Sequence, residues 1–455
     1  MLATRTLKVA GSAFVMGLWA ALCLPGLAAA ESISAPCCSD LESRIADLEA
    51  FSARKGNRKV SLVVSGIVTW PIMVWDDGKQ TDAFVVSNEV KRPRVRVAGT
   101  APIDSATSAG FVIEIGPNPS PFAPMDQTRY VSSGGPLEVR YAHWQLKNKA
   151  LGDVSLGLVS MATDGATEST LANTTSVMSP GLPILLGYLE RGWYIRRDDG
   201  TLSDMRFGDV IFKGRNAVWG EGHRWAAARY DSPAIAGFTL SASWGQNDFK
   251  DIALRFAGET GRVRVAAALG AAQWEDDSPQ NRRGCARTTD RMRLDCWEIG
   301  GSIAVMDTAT GLFLNAAAGY GQDNNTAHLY GDISGIDDDE AFYYLVGGIE
   351  RQWLACGKTT IFGQYWHKDA GAGVLYTGQR IDAATLGAQD FISGADVTIY
   401  GASVVQTLAE GVDLYASVNR VESTLRTSAT GAAEGSVTSE IRPFDFLLTG
   451  MSVRF

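Results

Sequence analysis

From residue 60 to the C-terminus, apolar and polar residues alternate with a period of two. The pattern opens in VSLVVSGIVTW and returns in segments such as GFTLSASW, DIALRFAG and VDLYASVNRV. In a β-strand successive side chains point to opposite faces of the sheet, so each segment predicts a strand with one apolar face. We count about sixteen such strands, each close to the roughly ten residues that a tilted strand needs to cross a membrane.

The links between these strands alternate in length. Thr308–Gly311, Gly258–Gly261 and Leu408–Gly411 are predicted to be tight turns, whereas most of the links between them run much longer. Bacterial outer-membrane barrels have short periplasmic turns and long outer loops, and an even number of strands leaves both chain ends in the periplasm. The sequence therefore predicts an all-β protein, a sixteen-stranded antiparallel transmembrane β-barrel over residues 60–455.

The closing segment FLLTGMSVRF indicates what the apolar faces contact. One of its two rows is mainly apolar and contains Leu447, Thr449, Met451, Val453 and Phe455. Nothing in the hydrocarbon of a bilayer satisfies backbone N–H and C=O groups, so only a closed barrel can present such a row to lipid. We expect this row to face lipid and the smaller, more polar row to face water inside the barrel. Aromatic residues near strand ends are expected at the membrane interfaces, among them Trp70, Tyr230, Tyr365, Trp366 and Tyr400.

The N-terminus carries an export signal. Arg5 and Lys8 precede a short apolar run that is interrupted at Pro25, and small residues lead up to Ala30. A basic start, a short apolar stretch and a small-residue cleavage site are typical of a secretory signal peptide and not of a membrane anchor. We therefore predict that residues 1–30 are a signal peptide and that the mature chain is exported.

Residues 31–59 have a helical pattern instead of a strand pattern. Leu41, Ile45 and Leu48 repeat at spacings of four and three, with charged residues between them. This heptad-type stripe predicts a short coiled-coil-like helix in the periplasm. At under two heptads it is too short to be stable alone. Either it associates with copies in other subunits, or it lies on its own barrel.

Composition and charge exclude several functions. The chain has a formal net charge of −9, and loss of Arg5 and Lys8 with the signal peptide makes it −11, so nucleic acid is not an expected partner. The four histidines are scattered, and none pairs with a nucleophilic serine in a known motif. No Cys/His pair has zinc spacing. We predict no enzymatic activity, no metal and no cofactor.

Five of the six cysteines remain after signal cleavage. Cys285 and Cys296 flank the segment ARTTDRMRLD, a separation that a disulfide can close in an oxidising compartment. We predict this bridge. Cys37 and Cys38 are neighbours, Cys356 stands near a predicted turn, and their pairing stays open.

Several segments resemble the porins of alphaproteobacteria. ARKGNRKVSLVVSGIV resembles the start of those porins, RYDSPAIAGF (Arg229–Phe238) is similar to a turn of general porins, and VRYAHWQLKNKALGDVSLGLVSMATDG (Val139–Gly165) resembles the strands before their constriction loop. The terminal Phe455 matches their assembly signal. The resemblance implies a homotrimeric general-diffusion channel for small hydrophilic solutes and ions. It also implies a barrel placed in outer-membrane lipid beside lipopolysaccharide and inserted by the barrel assembly machinery.

The longest link between strands, residues 162–221, is the third outer loop by order. In the family that it resembles, this loop folds into the barrel and narrows the pore. Its segment GYLERGWYIRRDDGTLSDMRFGDV carries charges of both signs and several aromatic residues, as a structured insert would. A barrel of 16–18 strands otherwise leaves a broad aqueous channel. We expect this loop to form the constriction.

Charged residues predict the two walls of the constriction. In VKRPRVRVAG, Arg92, Arg94 and Arg96 share one face, and an arginine facing hydrocarbon would cost ~2–4 kcal/mol near the midplane. We therefore expect these three residues, together with Arg140, to form a basic wall in the lumen. The expected opposing wall consists of acidic residues of the third loop, namely Asp164, Glu168, Asp198, Asp199, Asp204 and Asp209. Opposed walls would create a transverse field that selects solutes by polarity.

Two other functions stay open. A substrate-specific channel would use an aromatic track, for which Trp193, Tyr194 and Trp219 are candidates. A structural barrel would tether the envelope through its N-terminal helix.

The acidic run Asp337–Glu340 either shares divalent cations with lipopolysaccharide phosphates or is a solvated loop. The natural solutes and the preferred sign of ion are not indicated by the sequence.

Overall fold

A computed structural model describes residues 60–88, 90–117, 126–128, 137–179, 182–183, 193–207, 220–245, 248–276, 294–324, 339–370, 391–428 and 437–455. The predicted signal peptide and periplasmic helix lie outside these ranges, as do Asp209, Trp219 and Cys285. The side chain of Asp204 is also outside the description.

The described residues form β-strands joined by turns and loops. In chain order these are β1 (Ser61–Thr69), β2 (Ile72–Asp76), β3 (Thr81–Val85), β4 (Arg94–Pro102), β5 (Thr107–Pro117), β6 (Leu137–Asn148), β7 (Gly152–Ser160), β8 (Met178–Ser179), β9 (Leu182–Pro183), β10 (Tyr194–Arg196), β11 (Leu202–Arg206), β12 (Arg224–Asp231), β13 (Phe238–Gly245), β14 (Lys250–Thr260), β15 (Val263–Asp276), β16 (Leu294–Asp307), β17 (Leu312–Asp323), β18 (Asp339–Leu354), β19 (Gly357–Ala370), β20 (Phe391–Ala409), β21 (Val412–Ser428) and β22 (Val437–Arg454).

Eighteen of these strands form one antiparallel sheet that closes on itself. The seam joins β22 to β1, where Val68 is opposite Val453. β1 and β2 both pair with β22 and are separated only by Trp70 and Pro71, because proline has no N–H for the ladder. β3 pairs with β2, and β4 pairs with β1. β1 and β2 therefore follow one another along a single barrel strand, and β3 and β4 along the next one. The eighteen strands thus make a sixteen-stranded barrel, as predicted.

Short turns join the strands at one end of the barrel, and most links at the other end are longer, apart from the short β2–β3 and β13–β14 links. The predicted turns are confirmed, because β14, β16 and β20 each end just before the strand that follows. Gly261, Gly311 and Gly411 in these turns have φ values of 61°, 76° and 79°, a conformation that glycine adopts without steric cost. The longest link runs from β7 to β12, residues 161–223, and is called the third loop below.

The outer wall is apolar by alternation. Along β19, Ile361 and Tyr365 are exposed, whereas Phe362 and Trp366 are buried on the inner side. On β22 the expected outward residue Met451 is exposed and Ser452 is buried. Trp366 therefore does not lie at a membrane interface as predicted, since its inward side chain packs inside the barrel.

The inner wall is not polar throughout. Phe446 and Leu448 belong to the row of β22 that was expected to meet water, yet both are buried in an apolar cluster. The cluster joins inward residues of β17–β22 to Trp193, Ile195 and other residues of the third loop. Water is displaced on this side because the loop packs against the wall, and we call this contact the apolar core.

The strands differ in length around the barrel. β18 to β22 have between 14 and 19 residues, whereas β7, β12 and β13 have 9, 8 and 8. The long strands are connected at the short-turn end, so their additional length extends the opposite rim. No helix in the described ranges is long and apolar enough to cross a membrane.

Cys296 and Cys356 are each bonded in a disulfide. Cys296 is buried near the start of β16, at the rim with the longer links, and Cys356 lies in the turn between β18 and β19 at the other end. A disulfide requires Cα atoms roughly 4.4–6.8 Å apart. Because a whole strand length separates the two rims, Cys296 and Cys356 are not bonded to each other.

Candidate pore constriction

The first part of the third loop runs along the inner wall. Thr163 donates hydrogen bonds from its backbone N and its Oγ1 to Asp251 Oδ2 on β14, both at 2.7 Å. Further along, the backbone N of Asn173 donates to Glu350 on β18, and its Nδ2 donates to Asp413 on β21. These contacts follow the order of the strands, so residues 161–179 cross the lumen side of the barrel from β14 to β21.

The second part of the third loop forms a hairpin within the barrel. β10 and β11 pair, and Trp193 beside β10 is buried with its ring 4.7 Å from Trp75 and 5.1 Å from Phe444. At the hairpin tip the buried Arg196 forms an ion pair with Asp77 at 2.7 Å. The hairpin is therefore fixed to the wall formed by β2 and β22 through apolar packing and a buried charge pair.

Three of the predicted arginines meet around one carboxylate, and we call this group the basic cluster. Glu114 on β5 is 1% exposed, and its oxygens accept from Arg96 Nε and Arg140 Nε, each at 2.7 Å. Arg94 Nε lies 3.7 Å from the same carboxylate. Three positive charges against one negative charge leave a net +2. Arg94 and Arg96 remain partly exposed, so their charge is presented to the lumen.

Neighbouring groups add to this positive surface. The Arg96 guanidinium lies 5.2 Å from the ring centre of Tyr141, and that of Arg224 lies 5.6 Å from the same ring. Cations at these distances are attracted to the face of an aromatic ring. The fourth predicted arginine, Arg92, precedes β4, and its carbonyl oxygen accepts from Arg94. The basic surface thus extends across β4, β6 and the start of β12.

The acidic residues of the third loop do not gather in one wall. Asp164 and Glu168 are half-buried near the loop's beginning, where the Asp164 carbonyl accepts from Arg255. Asp198 and Asp199 are exposed at the tip of the β10–β11 hairpin, and the Asp198 carbonyl accepts from Arg442 of β22. These two pairs therefore lie in different parts of the loop. The hairpin tip contacts β22 through the Asp198 carbonyl, whereas the basic cluster belongs to β4–β6.

The residue that organises the basic cluster, Glu114, was missed from the sequence. The signal is present in FVIEI, where a single carboxylate interrupts an apolar strand. A carboxylate in that setting must face the lumen, and register places Glu114 directly opposite Arg96. Lys91, which Arg94 approaches, was also missed. Strict alternation places Lys91 on the face of Val95, opposite to the face of the three arginines, but the strand begins only at Arg94.

The aromatic track of the substrate-specific alternative is not formed as expected. Trp193 is 1% exposed in the apolar core, and Tyr194 stacks with the Arg206 guanidinium at 4.7 Å. In the acidic run at Asp337–Glu340, Glu340 is buried on β18 and forms an ion pair with Lys368 at 3.0 Å. Within the described ranges no group of three or more His, Cys, Asp or Glu side chains is placed to hold a metal ion.

The base of the third loop contains a buried carboxyl group. Glu221 accepts hydrogen bonds from the backbone N and the Oγ1 of Thr167, and from the backbone N of Gly165. Burial, followed by the negative charges of Glu168 and Asp164, raises the pKa of Glu221 well above its usual value of 4.5. A carboxyl whose pKa is raised by folding stabilises the folded state while it is protonated, and this contribution is lost as the pH rises through the raised pKa.

We expect Glu221→Gln to remove this pH dependence. The amide resembles the protonated carboxyl in charge, so the melting temperature of the variant will change less than that of the unmodified protein between acidic and neutral pH. Thermal unfolding in detergent, followed by circular dichroism, measures the effect. Glu259→Gln is the matched control, because Glu259 is an exposed carboxylate paired with Arg264 near a short turn. Equal pH dependence in Glu221→Gln and the unmodified protein would contradict the assignment.

Known proteins share this architecture. A family model described as Gram-negative porin matches residues 17–425. A search of curated proteins finds no match. Among solved structures, the anion-selective porin from Comamonas acidovorans has 13% sequence identity and a TM-score of 0.52, and the match covers 87% of this chain and 100% of that chain. In-vitro folded OmpT, an outer membrane protein of Vibrio cholerae, has 12% identity and a TM-score of 0.50 over 88% of this chain and 99% of that chain.

At such low identity the two structural matches establish the fold alone. The family match covers most of the chain, including the whole third loop and the basic cluster. The protein therefore belongs to the Gram-negative porin family and is a diffusion channel that crosses the outer membrane as a multi-pass β-barrel.

Proposed function

We propose that this channel passes small hydrophilic solutes passively and prefers anions over cations. The observation that carries the preference is the basic cluster, in which three arginines surround one buried carboxylate and leave net positive charge toward the lumen. An ion in a narrow pore experiences the charge of the nearest wall more strongly than the net charge of the protein. The chain's formal net charge of −9 is therefore compatible with a positively charged pore wall.

The narrowing is the second part of the proposal. The third loop covers the inner wall from β14 to β22, and its hairpin is held in the apolar core. The open passage then lies between this loop and the strands that carry the basic cluster. Asp164 and Glu168 are proposed to be the loop acids that border the passage, and Asp198 and Asp199 to border its outer entrance.

Reconstitution of the purified protein tests both parts. In a planar bilayer with a potassium chloride gradient, we expect a zero-current potential of the sign that indicates chloride preference. In liposomes, the flux of neutral sugars should rise linearly with concentration and fall smoothly with solute size. Cation preference would overturn the proposed selectivity, and saturating flux would indicate a substrate-specific channel. Hydrolysis of lipid by the purified protein would contradict the proposal that it is not an enzyme.

The final residue supports a role in barrel closure. Gly66 N donates to the Phe455 carbonyl at 2.9 Å, and Phe455 N donates to the Gly66 carbonyl at 3.1 Å. The Phe455 ring lies over Gly66, where an added Cβ would be 2.5 Å from Cζ. Phe455 thus forms a hydrogen-bonded pair with Gly66 at the β22–β1 seam. We propose that the barrel assembly machinery also recognises Phe455.

The remaining expectations rest on the resemblance to alphaproteobacterial porins. We propose that residues 1–30 are cleaved on export, that a periplasmic helix precedes the barrel, and that three copies assemble in a membrane containing lipopolysaccharide. The exposed apolar wall supports contact with lipid and with other subunits. Deletion of residues 31–57 separates channel from tether, since loss of envelope attachment with unchanged conductance would assign the tethering role to the helix.

A further inference from the structure

Cys356 is bonded in a disulfide, and the cysteine at the other end of this bond lies outside the described ranges. Cys356 occupies the short turn between β18 and β19, at the same end of the barrel as the start of β1. Gln406 Nε2 lies 3.5 Å from the Cys356 Sγ, and Gln406 is buried on the inner wall. The sulfur therefore lies on the lumen side of the turn, beside the periplasmic mouth.

The other cysteines limit the choice of partner. The chain has six, and Cys23 lies in the predicted signal peptide. Cys296 is at the opposite rim, as shown above, and it is itself bonded in a disulfide. Cys285 precedes β16 in the sequence and is the partner predicted for Cys296 from their spacing. Cys37 and Cys38 are the cysteines that remain.

Distance and chain length permit this pairing. In the order β19, β20, β21, β22 and β1, Cys356 is four strands from the start of the barrel, or about 20 Å along the wall at roughly 4.8 Å per strand. Cys38 precedes Val60 by 60 − 38 = 22 residues. Such a length spans about 33 Å even as a continuous helix, which exceeds the distance required.

We propose that one member of the Cys37–Cys38 pair forms a disulfide with Cys356. The bond ties the segment before the barrel to the periplasmic mouth and closes a covalent loop across the β22–β1 seam. Its formation removes two protons and two electrons from two thiols. A disulfide-bonded oxidant of the thiol–disulfide oxidoreductase class accepts them by exchange and leaves as a dithiol. The periplasm is an oxidising compartment in which such bonds persist.

This pairing also accounts for the odd number of cysteines in the mature chain. If Cys285 bonds to Cys296 and Cys356 bonds to one of the adjacent pair, one cysteine of Cys37 and Cys38 keeps its thiol. Because the two residues are neighbours, the free thiol can attack the bond beside it, and the link can move between Cys37 and Cys38 by exchange. Single substitution of either residue should therefore leave the link in place, whereas substitution of both should remove it.

Peptide mapping tests the proposal on full-length protein extracted from outer membranes with an alkylating agent present. Without reduction, we expect a cross-linked peptide that joins Cys356 to the Cys37–Cys38 segment, and we expect reduction to separate it. Cys356→Ser should abolish this species and free both members of the pair for alkylation. Cys285→Ser is the matched control, because it removes a cysteine from the other rim and should retain the cross-link.

Three results would overturn the proposal: alkylated Cys356 in the unreduced protein, a peptide joining Cys356 to Cys285, or a bond from Cys356 to a second chain. The map of the unmodified protein decides the matter even if Cys356→Ser does not assemble. On non-reducing gels the denatured protein should also migrate faster than after reduction, because a large covalent loop makes the unfolded chain more compact. Cys356→Ser should lose most of that difference, and Cys285→Ser should retain it.

Discussion

Replacing Arg94 and Arg96 together by glutamine will shift the zero-current potential of the channel toward cations. Both guanidiniums are partly exposed to the lumen beside Glu114, and their loss leaves Glu114 paired with Arg140 alone. A unit charge about 7 Å from a passing ion in water changes its energy by about 0.6 kcal/mol before screening, which is close to threefold in permeability for each charge. The energy of a cation changes in the opposite sense, so two charges should change the anion-to-cation permeability ratio by roughly 50-fold before screening, and by about an order of magnitude once salt screens part of the field.

The matched control for this prediction is Arg262→Gln. Arg262 is 69% exposed, pairs with Asp307 beside a short turn, and carries the same charge as the arginines of the basic cluster. Its replacement should leave the zero-current potential almost unchanged. Raising the salt concentration should reduce the effect of the double substitution, because ions screen the field. An unchanged potential in the double variant at low salt would show that the basic cluster does not border the passage.

Trp193→Ala will destabilise the folded third loop and raise the single-channel conductance. The Trp193 ring is buried and contacts Trp75 and Phe444 in the apolar core. Truncation of a buried aromatic residue to alanine costs ~3–5 kcal/mol, because apolar contacts are lost and a cavity remains. Part of this free energy holds the β10–β11 hairpin against the wall, so the variant should melt at a lower temperature and show a broader distribution of conductances.

The control for the loop is Trp244→Ala. Trp244 is 63% exposed on the outer face of β13, and its loss changes the lipid-facing surface without touching the third loop. Conductance measured in the same bilayer should be that of the unmodified protein. If Trp193→Ala and Trp244→Ala gave the same conductance, the apolar core would not set the width of the passage.

Much of the fold follows from local rules in the sequence. The alternation in segments such as DIALRFAG requires one face toward lipid, and the tight turns contain glycines at positive φ, so strand number and turn positions could be predicted. The lumenal side of Arg94 and Arg96 also followed from alternation, because Val95 between them must face outward. These predictions need only two facts: alternate residues of a strand face opposite sides of the sheet, and a charged side chain facing hydrocarbon costs free energy.

The apolar core could not be predicted in the same way. Trp366 and Phe446 have apolar neighbours on both faces of their strands, so alternation does not say which side meets lipid. The inner side is apolar because the third loop packs there, and the residues in contact are far apart in sequence. The positions of the loop acids could not be predicted for a related reason, since the Asp198 backbone is held by Arg442 on a strand near the other chain end.

The unequal strand lengths give the barrel a tilted outer rim. A strand of 19 residues such as β20 rises about 48 Å when tilted by roughly 40°, which exceeds an apolar band of about 25 Å by some 20 Å. β18 to β22 therefore extend above the bilayer on one side of the barrel. Near the outer ends of these strands, Arg426 forms ion pairs with Asp369 and Asp396. A large particle that approaches from outside is expected to meet this raised side first, and a small solute to approach over the side formed by the shorter strands β7 and β12.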